Sequence, residues 1–285
     1  MKRQLLGVAA FMLALSAHAQ DNPLWMRYCA ISPDGTSIAF TYKGDIYTVP
    51  VNGGKAAQIT TNAAHDTHPV WSPDGKQIAF ASDRMGSMDI FVVDREGGIP
   101  KRLTTHSGNE TPVAFKDADH ILFLANVMPS AEDAQFPSGQ FQQVYEVSTT
   151  GDRPVMFSSM PMEDISINKT GNALLYHDKK GYEDPWRKHH TSSITRDIWL
   201  CSLDGKRSYR KLTSFNGEDR TPVWASDGKS FYYLSEEKGS FNVFKRALDG
   251  TSSTQLTHHT KHPVRFLTAA DNGTLCYGYD GEIYT

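Results

Sequence analysis

The stretch His68–Thr104, HPVWSPDGKQIAFASDRMGSMDIFVVDREGGIPKRLT, decides the fold. It reads as four short apolar runs separated by turn signals. Val70-Trp71 is the first run, Lys76 to Ala81 the second and Asp89 to Val93 the third. A Glu96-Gly97-Gly98 turn leads into a fourth run that ends at Leu103-Thr104. The turn Ser72-Pro73-Asp74-Gly75 has a mechanism. Pro73 pre-sets φ for the first central position, Asp74 hydrogen-bonds the local backbone, and Gly75 takes a left-handed conformation at no steric cost. A short loop of that composition joins antiparallel neighbours.

The same unit recurs on both sides of this stretch. Its second run ends in an aromatic at Phe40, Phe80, Phe123, Tyr176, Tyr233 and Tyr277, and its third carries another at Tyr47, Phe91, Tyr145, Trp199, Phe244 and Tyr284. The second series is spaced by 44, 54, 54, 45 and 40 residues. A period near 45 residues with four strands in each is the signature of a β-propeller. The turn returns as Ser32-Pro33-Asp34-Gly35 and Ser226-Asp227-Gly228, and in degraded form as Lys169-Thr170-Gly171 and Asp271-Asn272-Gly273. The last run ends at Ile59-Thr60, Leu103-Thr104, Leu212-Thr213 and Leu256-Thr257.

These repeats predict an all-β, six-bladed propeller of four-stranded antiparallel blades. The blades cover approximately residues 27–60, 69–104, 112–157, 163–213, 222–257 and 264–285. The last is incomplete after its third strand. One four-stranded sheet cannot cover both of its apolar faces, whereas radial stacking hides them between neighbours and leaves only short edges. The matched aromatics are expected to pack between blades. Closure of the last blade by an outer strand would have to come from Asp21 to Met26, and the whole reads as the N-terminal piece of a longer chain.

Composition supports a folded domain, with 39% hydrophobic and 21% charged residues. A formal net charge of -3, with no acidic or basic block, argues against a nucleic-acid surface. Lys2 and Arg3 followed by the apolar run Leu5 to Ala17, with Ala17-His18-Ala19 at the cleavage point, read as a signal peptide over residues 1–19. Cleavage is expected after Ala19, leaving a domain over residues 20–285. The run is too short to span a bilayer, so the reading is a periplasmic or secreted protein with no membrane anchor. Cys29, Cys201 and Cys276 are scattered through apolar runs and read as buried free thiols rather than a disulfide framework.

Both of the longest spacings arise between second and third strands, at Asn126 to Phe141 and at His177 to Arg196. That connection opens on the same rim as the blade-to-blade connection, opposite the Pro-Asp-Gly turns. Long loops of this kind commonly carry function. The second contains Tyr182, Trp186, Arg187, His189 and His190, and these are the candidate binding residues. Trp186 would stack on an extended peptide and Arg187 would pair a carboxylate.

No catalytic residue, cofactor or metal is implied. There is no GxSxG elbow and no HExxH helix. Gly228-Lys229-Ser230 lacks the earlier glycine of a phosphate loop. His258-His259 with His262 falls in a blade-to-blade loop and reads as solvated.

The strings WSPDGKQIAF and DIFVVDREGGIPKRLT resemble the repeats of TolB-like and tricorn-type propellers. The likeness to the tricorn-type serine peptidases is closer. It rests on Arg27-Tyr28 with Ala30 to Gly35 and Lys43 to Tyr47, on Pro185 to Lys188 before Asp197-Ile198-Trp199, and on Gly217 to Trp224. The resemblance implies a substrate-gating, peptide-binding propeller placed ahead of C-terminal protease and PDZ domains in the same parent chain, with peptides or unfolded proteins as partners. The alternative is a stand-alone periplasmic propeller that binds or scaffolds. A Tol-type adaptor is disfavoured for want of a preceding α/β domain, and an axial glycosidase or lyase would need converging carboxylates or metal ligands.

Overall fold

Five of the six turns between first and second strands close in the same way. Gly35, Gly75, Gly171, Gly228 and Gly273 donate their N–H groups to the carbonyls of Ser32, Ser72, Asn168, Ala225 and Ala270 at 2.8–3.0 Å. Each of these glycines has φ between 61° and 88°, a conformation that costs glycine nothing. Asp34 and Asp74 then accept from the serine at the turn's first position and from the backbone two residues on.

The computed structural model of the protein describes residues 25–126, 141–181 and 192–285. Blade one holds β1 (Arg27–Ile31), β2 (Ser37–Tyr42), β3 (Asp45–Pro50) and β4 (Ala57–Gln58). Blade two holds β5 (Asp66–Trp71), β6 (Gln77–Ser82), β7 (Asp89–Asp94) and β8 (Lys101–Arg102). Blade three holds β9 (Glu110–Phe115), β10 (His120–Ala125), β11 (Gln143–Ser148) and β12 (Val155–Ser158). Blade four holds β13 (Met162–Ile167), β14 (Ala173–Asp178), β15 (Ile198–Ser202) and β16 (Ser208–Lys211). Blade five holds β17 (Asp219–Trp224), β18 (Ser230–Ser235), β19 (Asn242–Ala247) and β20 (Ser253–Gln255). Blade six holds β21 (Arg265–Ala269), β22 (Leu275–Tyr279) and β23 (Glu282–Tyr284). Each sheet is an antiparallel meander in chain order. The first strands lie against one another in a closed ring, from β1 through β5, β9, β13, β17 and β21 back to β1. This is the six-bladed propeller the repeats predict, with three strands in the last blade.

The two aromatic series meet as cross-strand partners within each blade. Phe40 faces Tyr47, Phe80 faces Phe91, Phe123 faces Tyr145, Tyr176 faces Trp199, Tyr233 faces Phe244 and Tyr277 faces Tyr284. The pairs then pack against the preceding blade. Phe80 and Phe91 sit with Ala39, Ile46 and Ile59 of blade one, and Tyr233 and Phe244 sit with Leu175, Ile198 and Leu212 of blade four. Burial of one such ring contributes about 1.5–3 kcal/mol, so these interfaces supply much of the fold's cohesion.

The closing Leu-Thr or Ile-Thr pair does not lie inside the fourth strand, which stops one residue earlier. Ile59, Leu103, Leu212 and Leu256 each donate to the carbonyl of the residue that opens or nearly opens the third strand, at 2.8 Å. The hydroxyl of the threonine that follows accepts that same residue's N–H at 2.9–3.0 Å. The pair therefore finishes the ladder with a side chain where backbone runs out.

At the seam between blades six and one, the Ile31 N–H donates to Thr268 Oγ1 at 3.1 Å and Asp271 N–H to the Pro33 carbonyl at 2.9 Å. Met26 N–H reaches the Gly281 carbonyl at 3.1 Å. Closure among the described residues is by packing and these hydrogen bonds, and residues 20–24 lie outside them.

Candidate functional site

Every first strand carries one residue more than its partner can match. In five blades two residues oppose a single aromatic of the second strand. Tyr28-Cys29 lie opposite Phe40, His68-Pro69 opposite Phe80, Asp164-Ile165 opposite Tyr176, Thr221-Pro222 opposite Tyr233, and Phe266-Leu267 opposite Tyr277. The leading residue of each pair is left-handed, with φ of 52°, 54°, 49°, 51° and 57° respectively. Blade three also skips a residue, but there Pro112 pairs with Phe123, and a proline ring cannot adopt positive φ. Non-glycine residues in this region are strained, and a bulge redirects the side chain it carries. The repeated second-strand aromatic thus marks the bulge on the innermost strand.

Because the first strands ring the axis, the bulge side chains converge there. The Tyr28 ring lies 3.7 Å from the His68 ring and 4.8 Å from Phe266, centroid to centroid. Blades six, one and two thereby present an aromatic arc. Blades four and five present the opposite chemistry, since Thr221 Oγ1 donates to Asp164 Oδ2 at 2.6 Å. The Asp164 side chain is 47% exposed. The two arcs sense each other. Burial chiefly, with His65 adding to it, pushes His68 down to about 4, against the pull of the Asp164 carboxylate. His68 is therefore a neutral ring at pH 7. Burial raises Tyr28, while Arg27 and Arg265 pull it the other way.

Behind Asp164 lies a buried ionic network. His177 Nδ1 accepts the Thr221 N–H at 3.3 Å, which leaves Nε2 to donate to Glu163 Oε2 at 3.2 Å. Lys179 bonds Glu163 at 2.8 Å and Arg196 approaches it at 3.4 Å. Arg196 also pairs with Glu218 at 2.5 Å, and Arg220 pairs with the same oxygen at 2.8 Å. Burial pushes Glu218 up, but Arg220 and Arg196 outweigh it and hold the carboxyl below its ordinary value. Glu163 is likewise lowered, with His177, Lys179 and Arg196 overriding its burial.

This network forms the two stems of the long blade-four connection. Lys180 Nζ reaches the Thr195 carbonyl at 2.6 Å and bonds Asp197, while Asp178 accepts the Asp197 N–H at 2.8 Å and Trp199 Nε1–H at 3.1 Å. An open polar cavity of about 440 Å³ lies beside the stems, lined by Lys180, Thr195, Asp197, Lys211 and Phe215 among others. The candidate residues Tyr182, Trp186, Arg187, His189 and His190 lie outside the described residues. What the structure does place is their root, held by Lys179 and Arg196 against Glu163 of the innermost strand. The histidines at 259 and 262 lie among the tyrosines and Asp280 of blade six. His259 stacks on Tyr279 at 3.8 Å, and His262 lies 3.5 Å from Asp280. Among the described residues no three His, Cys, Asp or Glu side chains are grouped to hold a metal ion.

The protein is thus a β-propeller whose bulged first-strand residues ring the axis, aromatic on one arc and polar on the other. The sequence matches the family described as the tricorn protease N-terminal beta propeller domain over residues 23–285, and the chain belongs to that family. It is 25% identical over 263 residues to tricorn protease homolog 1 of Streptomyces coelicolor, covering 92% of this chain and 23% of that protein. It is 24% identical over 272 residues to the tricorn protease of Thermoplasma acidophilum, covering 92% and 24%. The chain thus spans about a quarter of the length of these relatives. Among solved structures, the tricorn protease superposes with a TM-score of 0.74 at 21% identity, covering 92% of this chain and 25% of that one. TolB from Acinetobacter baumannii superposes with 0.63 at 18% identity over 85% and 56%. Both share the fold.

Proposed function

We propose that this chain is the substrate-gating, peptide-binding propeller of an exported tricorn-like serine peptidase whose catalytic residues lie in other parts of the parent protein. The observation that carries the reading is the ring of bulged first-strand residues about the axis in a member of this family. One arc offers aromatic faces at Tyr28, His68 and Phe266, and the other offers an exposed carboxylate at Asp164 with the Thr221 hydroxyl. An extended peptide presents alternating apolar side chains and polar backbone groups. An opening with one aromatic and one polar wall suits such a chain without demanding a particular sequence. The loop bearing Trp186 and Arg187 springs from the same rim and would meet the chain first. A leader at residues 1–19 fits a peptidase that works on exported or periplasmic polypeptides.

The test uses the full-length parent protein and two substrates, an unstructured polypeptide too long to diffuse in sideways and a short chromogenic peptide. Tyr28→Ala and Asp164→Asn are expected to lower kcat/KM for the long substrate roughly tenfold, on the scale of a central contact residue, and to leave the short one unchanged. Equal losses on both substrates, or no loss on either, would defeat the gating role.

A further inference from the structure

The chain links each blade covalently to the next, except at one junction. Among the described residues, blade six and blade one are joined by packing and hydrogen bonds alone. Cys29 on β1 and Cys276 on β22 meet in the core of that junction, in the cluster formed by Ile31, Ile38, Phe40 and Ala270. Their exposures are 2% and 0%, both belong to that one buried cluster, and Cys276 is near enough to raise the Cys29 thiol. Cys29 Sγ also points to the Phe266 carbonyl at 3.5 Å, across the same seam. Cys201, by contrast, lies in blade four among Leu174, Tyr176 and Met162. Two of the chain's three thiols therefore share one buried cluster at the place where a covalent bond would turn a packed ring into a closed one.

We propose that Cys29 and Cys276 form a disulfide that latches blade six to blade one. The step is thiol–disulfide exchange with an acceptor disulfide, of the kind carried by an oxidoreductase or by oxidised glutathione. One cysteine thiolate attacks the acceptor and releases its first thiol. The second cysteine then attacks the mixed disulfide and releases the other. Two S–H bonds are lost, one S–S bond forms, and the two electrons and two protons leave on the acceptor's thiols. The neighbouring Cys276 thiol, with burial, holds the Cys29 thiol well above its ordinary value, so the folded seam is inert and the bond forms while the ring is assembling. The inference rests on the proposed export of the chain, since an exported chain folds where such acceptors are present. The loop closed is on the order of 250 residues, long enough for a large restriction of the unfolded chain.

The test refolds the 285-residue protein with oxidised glutathione or with dithiothreitol, then alkylates it under denaturing conditions. The latch predicts that Cys201 alone is alkylated after oxidation and all three cysteines after reduction. Mass spectrometry should find the Cys29 and Cys276 peptides joined. Tm should rise by about 5 °C or more on oxidation. Cys29→Ser and Cys276→Ser should each abolish that rise, while Cys201→Ser should keep it. If a seam variant fails to fold, the wild-type thiol count and Tm difference decide alone. Three alkylated thiols after oxidation, disulfide-linked dimers, or a joined pair with unchanged Tm would each overturn the proposal.

Discussion

The two rims of the propeller handle charge in opposite ways. On the turn rim, carboxylates are exposed and bonded to their own loop. Asp34 is drawn down to about 2, first by the Ser32 hydroxyl and then by the Thr36 N–H, and Asp74 is lowered by the equivalent groups. On the loop rim, the carboxylates that open the first strands of blades two, three and five are buried. Glu110 is 1% exposed and burial pushes it up to about 7. Asp219 is 2% exposed and pushed up to about 6 by the same cause. The turn rim satisfies its charges locally and contributes stability cheaply. The loop rim keeps titratable groups out of water, a cost that a purely structural rim has no reason to carry, and it is the rim where the axial opening and the long connections sit.

The comparison is broken most severely at Glu218. Glu218→Ala removes the carboxylate that Arg196 and Arg220 share and leaves two guanidinium groups 5% and 8% exposed. Removing one side of a buried pair costs about 3–5 kcal/mol, so a fall in Tm of roughly 10 °C by calorimetry is expected. A change within 2 °C would show that water reaches this network freely and that the rims do not differ as described.

How much of this was readable in advance follows from where each signal sits in the chain. The turn rim was legible because Ser, Pro, Asp and Gly act on neighbours a few residues away, as Asp74 and Gly75 do. The blade count was legible because Phe80 and Phe91 recur as a pair. The axial site was not. Left-handed backbone is a habit of glycine, and nothing in tyrosine, histidine, aspartate, threonine or phenylalanine announces it at positions 28, 68, 164, 221 and 266. The trace available was indirect, namely the aromatic opposite each bulge. The ionic network joins Glu163, Arg196 and Glu218, which local patterning cannot connect. The cysteines read as isolated thiols because sequence separation hides a seam that brings the first blade to the last. The loop residues chosen for binding lie outside the described part of the chain, and only their stems can be set against the axial opening.

A milder change sharpens the contrast through pH. A carboxyl raised by burial contributes stability below its unfolded value and loses it as pH rises through its folded value. For Glu110 that window runs from about 4.5 to about 7. Its hydrogen bond from the Thr104 hydroxyl persists throughout. Glu110→Gln keeps the shape and removes the charge. It should stabilise the protein by about 2 kcal/mol at pH 8 and by almost nothing at pH 4.5, measured by urea titration at both values. His68 titrates with the opposite sense. Its imidazole is lowered to about 4, so it costs stability as pH falls from about 6.5, and the Glu110→Gln gain has to be read against wild type at each pH. Equal gains at pH 4.5 and pH 8 would place the benefit in packing rather than charge.

The smallest effect is expected on the turn rim, at Asp34. Its carboxylate accepts from Ser32 at 2.5 Å and from the Thr36 N–H at 3.0 Å, and Arg95 stands 3.7 Å away. Ser32 is buried, but the Asp34 carboxylate itself and its Thr36 and Arg95 partners are near solvent, so screening limits what they contribute. Asp34→Ala should cost less than about 1 kcal/mol at pH 7. A carboxyl held low contributes stability above its unfolded value and loses it as pH falls through its folded value. The cost of Asp34→Ala should therefore be full above pH 4 and shrink as pH approaches about 2. Urea midpoints at pH 7 and pH 3 check this. A penalty rivalling that of Glu218→Ala, or one that grows in acid, would mean that the turn rim carries strain of its own and that charge burial does not separate the two faces.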